Sequence, residues 1–202
     1  RSAGVTLPIL LLEYAFDANE ISIAAEQNFW LMLTRTETIE TLLAIDVKKQ
    51  VGVWIKIDTG MHRLGLAPEM FNDAYQRLST CNHIQNEIVV ATHFACSDEL
   101  NNEMTSEQLN HFIDITAEIK TPNNISNRIS SSLANSAAIL AWPETHANWN
   151  RPGYMLYGNL SSIVKSNIDK TDVYYKFTMR LMDLESGLVE WADETEIRKT
   201  KS

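Results

Sequence analysis

The chain alternates between short apolar runs and longer amphipathic segments over residues 7–158. The runs are continuous and rich in β-branched or aromatic residues, a pattern typical of strands that are buried on both faces. Between them, apolar residues recur at helical spacing. Because the two patterns alternate, they predict βα units and a parallel sheet. The predicted strands are residues 7–12, 29–33, 51–57, 87–92, 129–133 and 149–158.

Helix-start signals support this alternation. Asp17-Ala18-Asn19-Glu20 resembles a capping box, Pro68 suits the first turn of a helix, and Thr105-Ser106-Glu107-Gln108 forms a second capping box. The first predicted helix starts at the Asp17–Glu20 capping box and runs to about Gln27, the next two cover residues 36–45 and 68–78, and a fourth begins at Thr105.

The pattern changes after Gly158. Residues 173–184 are predicted to form an aromatic-rich strand, residues 185–187 a turn, and residues 188–191 the returning strand of a β-hairpin. We expect the charged end, residues 193–201, to be frayed or helical. The sequence therefore predicts two domains, residues 1–158 and 159–202.

Composition and charge narrow the classes of ligand. With 202 residues, of which 45% are hydrophobic, the chain can bury one substantial core. A net charge of -9 argues against a nucleic-acid partner. No run approaches the roughly 18 apolar residues that a membrane helix needs, so no membrane span is expected. Cys81 and Cys96 lack metal-site spacing and suit a cytoplasmic location, although one disulfide remains open.

The most informative stretch lies where the third predicted strand ends. Lys56 and Arg63 flank the break at Asp58-Thr59-Gly60. Ligands of parallel α/β folds bind at the carboxyl ends of the strands, so both cations are expected to face a site. The alternative is a strand-end lysine and a loop arginine that are both solvated.

Four stretches match motifs of one family in family order: Lys56–Gly65, Thr92–Ala95, Ser132–Ala138 and Arg151–Gly158. Through them, residues 4–158 resemble alanine racemases. The resemblance implies a pyridoxal 5'-phosphate cofactor, the interconversion of L- and D-alanine for peptidoglycan synthesis, and a homodimer. It also implies a TIM barrel followed by a β-rich second domain.

A complete TIM barrel typically needs about 250 residues. Residues 1–158 match about six of its eight βα units, so we expect an incomplete TIM (β/α)8-type barrel with a C-terminal β-hairpin. The chain begins at Arg1 without a methionine, and we interpret it as a piece of something longer.

The resemblance also implies site residues. It places Lys56, Arg63 and His93 in the catalytic machinery and Asn135, Ser136, Arg151, Gly153 and Tyr154 in cofactor binding. Lysines matching Lys56 are typically carbamylated and held against the arginine matching Arg63. A carbamate accepts hydrogen bonds from a guanidinium, which would repel an unmodified ammonium. The alternative for Lys56 is a salt bridge to Asp58, or solvent.

Arg151 matches the arginine that donates to the cofactor's pyridine nitrogen, and His93 matches the histidine that buttresses it. A guanidinium stays protonated, so it leaves the ring a weaker electron sink and favours racemisation over transamination. A surface arginine and a satisfied core histidine are the alternatives. A metal site of His93 with Cys96 lacks further ligands.

Asn135 and Ser136 match a polar pair near the cofactor, and Ser136 would contact its phosphate. Gly153 and Tyr154 would donate backbone N–H groups to the same phosphate. A helix cap is the alternative for Asn135 and Ser136, and both roles are compatible.

Two family features have no match in the sequence: the lysine that binds the cofactor covalently and the tyrosine of the second domain. We therefore expect these 202 residues alone to be inactive. Conversion of L-alanine to D-alanine by the purified chain would contradict this expectation.

Residues 159–202 resemble the C-terminal end of outer-membrane lipoprotein activators of penicillin-binding proteins. A diverged second-domain hairpin and a misassembled reading frame are the alternatives. The rival function is a non-catalytic module that binds pyridoxal phosphate or another protein, with the tail as an activator-like segment.

Overall fold

The computed structural model describes residues 4–12, 16–117, 119, 129–166, 171–183 and 189–201. It divides into two compact units, residues 1–151 and residues 152–202. Gly158, the boundary expected from the sequence, lies within a strand of the second unit. Among the described residues, no helix has the length and apolar character needed to cross a bilayer.

The first unit contains a five-stranded parallel sheet whose strands lie side by side in chain order. The strands are β1 (Ile9–Leu11), β2 (Phe29–Leu33), β3 (Val51–Lys56), β4 (Ile84–Ala91) and β5 (Ser130–Ser132). This order never reverses, so helical crossovers of one hand all fall on one face of the sheet. A parallel sheet with this order and helices on one face is the wall of a TIM-type barrel.

Five α-helices follow or connect these strands: α1 (Ala18–Gln27), α2 (Thr36–Ala44), α3 (Pro68–Ser79), α4 (Met104–Ala117) and α5 (Ser136–Ala141). The capping box predicted at the start of α1 is confirmed, because Asp17 and Glu20 exchange side-chain to backbone bonds of 2.8 and 3.0 Å. The cap predicted at Thr105 is wrong. The helix already includes Met104, whose N–H donates to the side chain of Asn102, and Thr105 is fully buried.

The main core lies between the sheet and its helices. Side chains alternate along β3, so Val53 and Ile55 enter this core while Trp54 points to the opposite face. On that opposite face Trp54 contacts Trp30 and Trp149, with ring centroids 6.5 and 5.7 Å away. The face away from the helices is therefore also apolar, as the inner face of a barrel wall is.

The second unit is a three-stranded antiparallel sheet of β6 (Tyr154–Ser166), β7 (Thr171–Asp183) and β8 (Val189–Lys201). The predicted hairpin is confirmed, because β7 and β8 pair antiparallel. The turn predicted at residues 185–187 lies outside the described residues.

Two predictions for this region are wrong. Residues 149–158 do not add a sixth parallel strand, because from Tyr154 the chain pairs antiparallel with β7 over thirteen residue pairs. A long antiparallel ladder needs no crossover connection and pairs the facing backbone groups of two strands that are close in the sequence. The charged end is neither frayed nor helical, since β8 runs to Lys201.

Candidate functional site

A structured loop follows β3 at the carboxyl end of the sheet. Ile57 bridges to Leu66 in parallel, and the N–H of Asp58 donates to Leu66 O at 2.9 Å. Within the loop, the Asp58 carboxylate accepts from the backbone N–H groups of Gly60 and His62, both at 3.0 Å. Burial alone would raise the pKa of Asp58, but these hydrogen bonds outweigh it and hold the pKa below its usual value. We call residues 58–65 the β3 loop.

Gly65, at the end of the β3 loop, packs closely against the backbone of Asp58 at the start of the loop. Its φ is +140°, and an added Cβ would lie 2.7 Å from the Asp58 nitrogen. A side chain at this position would therefore collide with backbone. Arg63 lies in this loop and is exposed.

Lys56 and His93 are brought together by strand pairing. Lys56 ends β3 and pairs with Ala91 in β4, two residues before His93. His93 therefore follows the end of β4 beside the end of β3, close enough for the charge of Lys56 to act on its imidazole. The Lys56 side chain is buried, with 6% exposure. The solvated alternative for Lys56 is therefore wrong.

The imidazole of His93 lies within the electrostatic reach of three basic side chains. Burial, together with the charges of Arg151, Lys56 and Arg63, lowers the pKa of His93 to about 4. The ring is therefore uncharged at neutral pH. A chain whose net charge is -9 thus concentrates positive charge at one end of its sheet, and such a cluster favours an anionic ligand.

Arg151 is fixed by the ends of β4 and β5 rather than by a carboxylate. Its guanidinium donates to Thr92 O at 2.5 Å, to Ser132 O at 2.8 Å and to Leu133 O at 3.3 Å, and also to the Ser132 hydroxyl. These four bonds use the N–H groups of both terminal nitrogens, and within the described ranges Nε–H has no partner. Burial lowers the pKa of Arg151 to about 10, so it stays protonated at neutral pH. The surface-arginine alternative is wrong.

Asn135 caps α5, as the alternative interpretation predicted. Its side-chain oxygen accepts from the Ala138 N–H at 3.0 Å and from the Ser97 hydroxyl at 2.8 Å. Its side-chain nitrogen donates to Phe94 O. The phosphate role of Ser136 stays a prediction. The roles of Gly153 and Tyr154 also stay predictions, because both belong to the second unit.

A buried polar network that was not predicted from the sequence joins the β3 loop to the segment after β4. Gln108 of α4 bonds to Thr59 in the β3 loop and to the backbone of the segment after β4, while Thr59 contacts Thr92 at 2.7 Å. A signal was present, because Gln108 occupies a buried helical position between Thr105 and Phe112. No cluster of three metal-ligating side chains occurs within the part of the chain that the structure describes.

Comparisons with known proteins identify the family of this chain. The family model described as "Alanine racemase, N-terminal domain" matches residues 1–161. An alanine racemase from Photobacterium profundum is 39% identical over 158 residues, which cover 78% of this chain and 42% of the relative. An alanine racemase from Pseudomonas savastanoi pv. phaseolicola is 41% identical over 162 residues, which cover 78% of this chain and 42% of the relative.

Alanine racemases are also among the solved structures that resemble this chain. The biosynthetic alanine racemase from Pseudomonas aeruginosa aligns with a TM-score of 0.67 at 26% identity, over 87% of this chain and 56% of that one. The alanine racemase from E. faecalis aligns with a TM-score of 0.65 at 18% identity, over 89% and 56%, and shows the fold alone. The chain spans about 42% of the length of the curated relatives described above.

Proposed function

The chain belongs to the family of alanine racemase N-terminal domains, and on this premise we propose that it supplies the cofactor-contacting wall of an enzyme that interconverts L- and D-alanine with pyridoxal 5'-phosphate. The proposal includes a cytoplasmic location and the homodimer implied by the resemblance. The activator-like role of residues 159–202 stays a separate prediction, since the family match ends at residue 161.

One observation carries the proposal: an uncharged His93 among Lys56, Arg63 and Arg151. Pyridoxal phosphate and an amino-acid substrate together present a phosphate, a phenolic oxygen and a carboxylate, all of them anionic. The guanidiniums of Arg63 and Arg151 provide complementary charge whether or not Lys56 is carbamylated, and the neutral imidazole adds no further positive group. The donor set therefore fits the cofactor.

When bound, the cofactor supplies the electron-withdrawing ring that lets the substrate's α-proton leave. Arg151 would direct its Nε–H, which bonds to none of the described residues, at the pyridine nitrogen. Because its pKa of about 10 keeps the guanidinium protonated, Arg151 would donate a hydrogen bond without transferring a proton. This arrangement limits the electron withdrawal by the ring and favours return of the proton to the same carbon.

His93 and the β3 loop would orient the other groups. His93 is uncharged at neutral pH and would pack beside the ring without competing for its anionic oxygens. Arg63 is exposed on a loop that backbone bonds hold at both ends, so it is placed to meet a substrate carboxylate. Carbamylation of Lys56 stays a prediction, which intact-mass measurement with and without bicarbonate would test.

Binding of pyridoxamine 5'-phosphate to the purified chain tests the proposal. Its amine cannot condense with surface lysines, so binding reports only non-covalent contacts. We expect saturable quenching of tryptophan fluorescence that is lost with pyridoxamine lacking the phosphate. Arg151→Ala should weaken binding at least about tenfold, because a charge-assisted hydrogen bond contributes roughly 1.5–3 kcal/mol.

Arg77→Ala is the matched control. Arg77 is a surface arginine whose guanidinium pairs with Glu40 at 2.6 Å, and its loss should leave binding unchanged. Equal weakening by both substitutions, or binding that does not depend on the phosphate, would contradict the proposal.

A further inference from the structure

Gln108 joins the β3 loop, which carries Arg63, to the segment after β4, which carries His93. Its side chain is 1% exposed. The side-chain oxygen accepts from the Ala95 N–H at 2.9 Å, and the side-chain nitrogen donates to His93 O at 3.0 Å and to the Thr59 hydroxyl at 3.2 Å. One residue of α4 therefore holds the segment after β4 and the β3 loop together.

The directions of these hydrogen bonds follow from the groups involved. The Ile57 carbonyl only accepts, so the Thr92 hydroxyl must donate to it, at 3.1 Å. The Thr92 oxygen then accepts from the Thr59 hydroxyl, and the Thr59 oxygen accepts from Gln108. The Ala95 N–H can only donate, so the amide oxygen of Gln108 faces it. Each donor in the network thus has an acceptor, in one consistent arrangement.

The network continues to Arg151. Thr92 donates its backbone N–H to Ser132 O at 3.2 Å, and its carbonyl oxygen accepts from Arg151 at 2.5 Å. Displacement of Thr92 would therefore displace Arg151 as well. Buried polar networks of this kind rigidify a site when every member is satisfied.

We propose that Gln108 is a positioning residue that fixes the relative placement of His93, the β3 loop with Arg63, and, through Thr92, the guanidinium of Arg151. Its effect on a bound cofactor depends on the function proposed above. The coupling of the loops does not depend on that function. Gln108 would affect a bound cofactor only through the residues that it positions.

Gln108→Met tests the inference, because methionine keeps the length of the side chain and removes all three hydrogen bonds. Two measurements need no cofactor. Amide hydrogen exchange of residues 59–65 and 93–97 should become at least tenfold faster. The NMR signal of the His93 imidazole, assigned with His93→Gln, should begin to titrate between pH 7.5 and 5.5, where the wild-type signal stays constant. Water entry and separation from Lys56, Arg63 and Arg151 both raise its pKa from about 4.

Phe112→Leu is the matched control, since Phe112 is buried on the same helix one turn away. It lowers the thermal midpoint without removing a hydrogen bond from the loops, so the His93 titration should stay as in the wild type. Gln108→Glu keeps the acceptor for Ala95 but loses donors, and should give an intermediate exchange rate.

The outcomes separate the two proposals. If Gln108→Met and Phe112→Leu change exchange and titration equally, or if neither changes them, the positioning role is overturned. If only Gln108→Met changes them while the wild-type chain does not bind pyridoxamine 5'-phosphate, Gln108 positions the loops and the proposed function fails. If the wild type binds, Gln108→Met should weaken binding at least threefold.

Discussion

Arg151 and Thr92 are joined by a 2.5 Å hydrogen bond from the guanidinium to the carbonyl oxygen, although 59 residues separate them in the chain. This bond places a cation at the carboxyl ends of two neighbouring strands. Carbonyl oxygens, which are uncharged, hold the guanidinium, so its positive charge stays available to a ligand. An arginine paired with a carboxylate at the same place would not attract an anion in this way.

Arg151→Lys should destabilise the first unit. A lysine ammonium cannot reach the carbonyls of both strands as a planar guanidinium does, so buried acceptors lose their donors. We expect the free energy of unfolding to fall by about 1–3 kcal/mol, measured by urea denaturation. Arg77→Lys should change it little, because that ion pair lies at the surface. Equal losses from the two substitutions would contradict the anchoring role of Arg151.

Local signals in the sequence predicted much of the fold correctly. Asp17 and Glu20 lie within one helical turn, so their capping box depends on no distant contact, and β2 has the predicted bounds. The predicted cap at Thr105 failed because the hydroxyl is buried instead of capping the helix. The prediction of a parallel strand at residues 149–158 failed because antiparallel pairing with a later segment decides the structure of this stretch.

The candidate site shows the same contrast between local sequence signals and contacts that join distant parts of the chain. Lys56 and His93 were predictable, because each follows an apolar strand and the sheet brings strand ends together. Gln108 was not predicted, because its partners Thr59 and Ala95 are 49 and 13 residues away in the chain. The helical spacing of Gln108 indicates only a buried position, and its hydrogen-bond partners become visible once the helix is packed against the loops.

The pH dependence of stability should report the buried state of His93. Its pKa is lowered to about 4 in the folded chain, while an unfolded histidine titrates near 6.5. The unfolded state therefore binds more protons between these values. Stability is fully retained above about pH 6.5 and falls as the pH drops toward 4.

Urea midpoints at pH 7.0, 6.0 and 5.0 would measure this loss. We expect His93→Gln to flatten the decline, because the side chain no longer titrates. His146→Gln is the matched control at an exposed histidine, and it should leave the decline as in the wild type. Parallel profiles for the wild type and His93→Gln would show that His93 is not held uncharged.

Gly52 and Trp30 should be energetically coupled. A Cβ at Gly52 would lie 2.2 Å from a ring carbon of Trp30, so Gly52→Ala forces the indole to move. We expect the alanine substitution alone to cost about 1–3 kcal/mol through overpacking. In Trp30→Leu the same substitution should cost at least about 1 kcal/mol less, as a double-mutant cycle would measure. Additive effects would show that the ring does not limit this position.

Two buried threonines should respond in opposite directions to the same substitution. The Thr105 hydroxyl has no hydrogen-bond partner among the described residues, whereas the Thr59 hydroxyl lies within hydrogen-bonding distance of Thr92 and Gln108. Valine has the shape of threonine but lacks the hydroxyl.

Thr105→Val should leave the free energy of unfolding unchanged or raise it by up to about 1 kcal/mol, because it removes an unsatisfied buried polar group. Thr59→Val should lower it by about 1–3 kcal/mol, since Gln108 then loses an acceptor and Thr92 a donor. Urea denaturation of the two variants at pH 7 gives the comparison directly. Destabilisation by Thr105→Val equal to that by Thr59→Val would mean that burial of the hydroxyl, and not the network, determines stability at these positions.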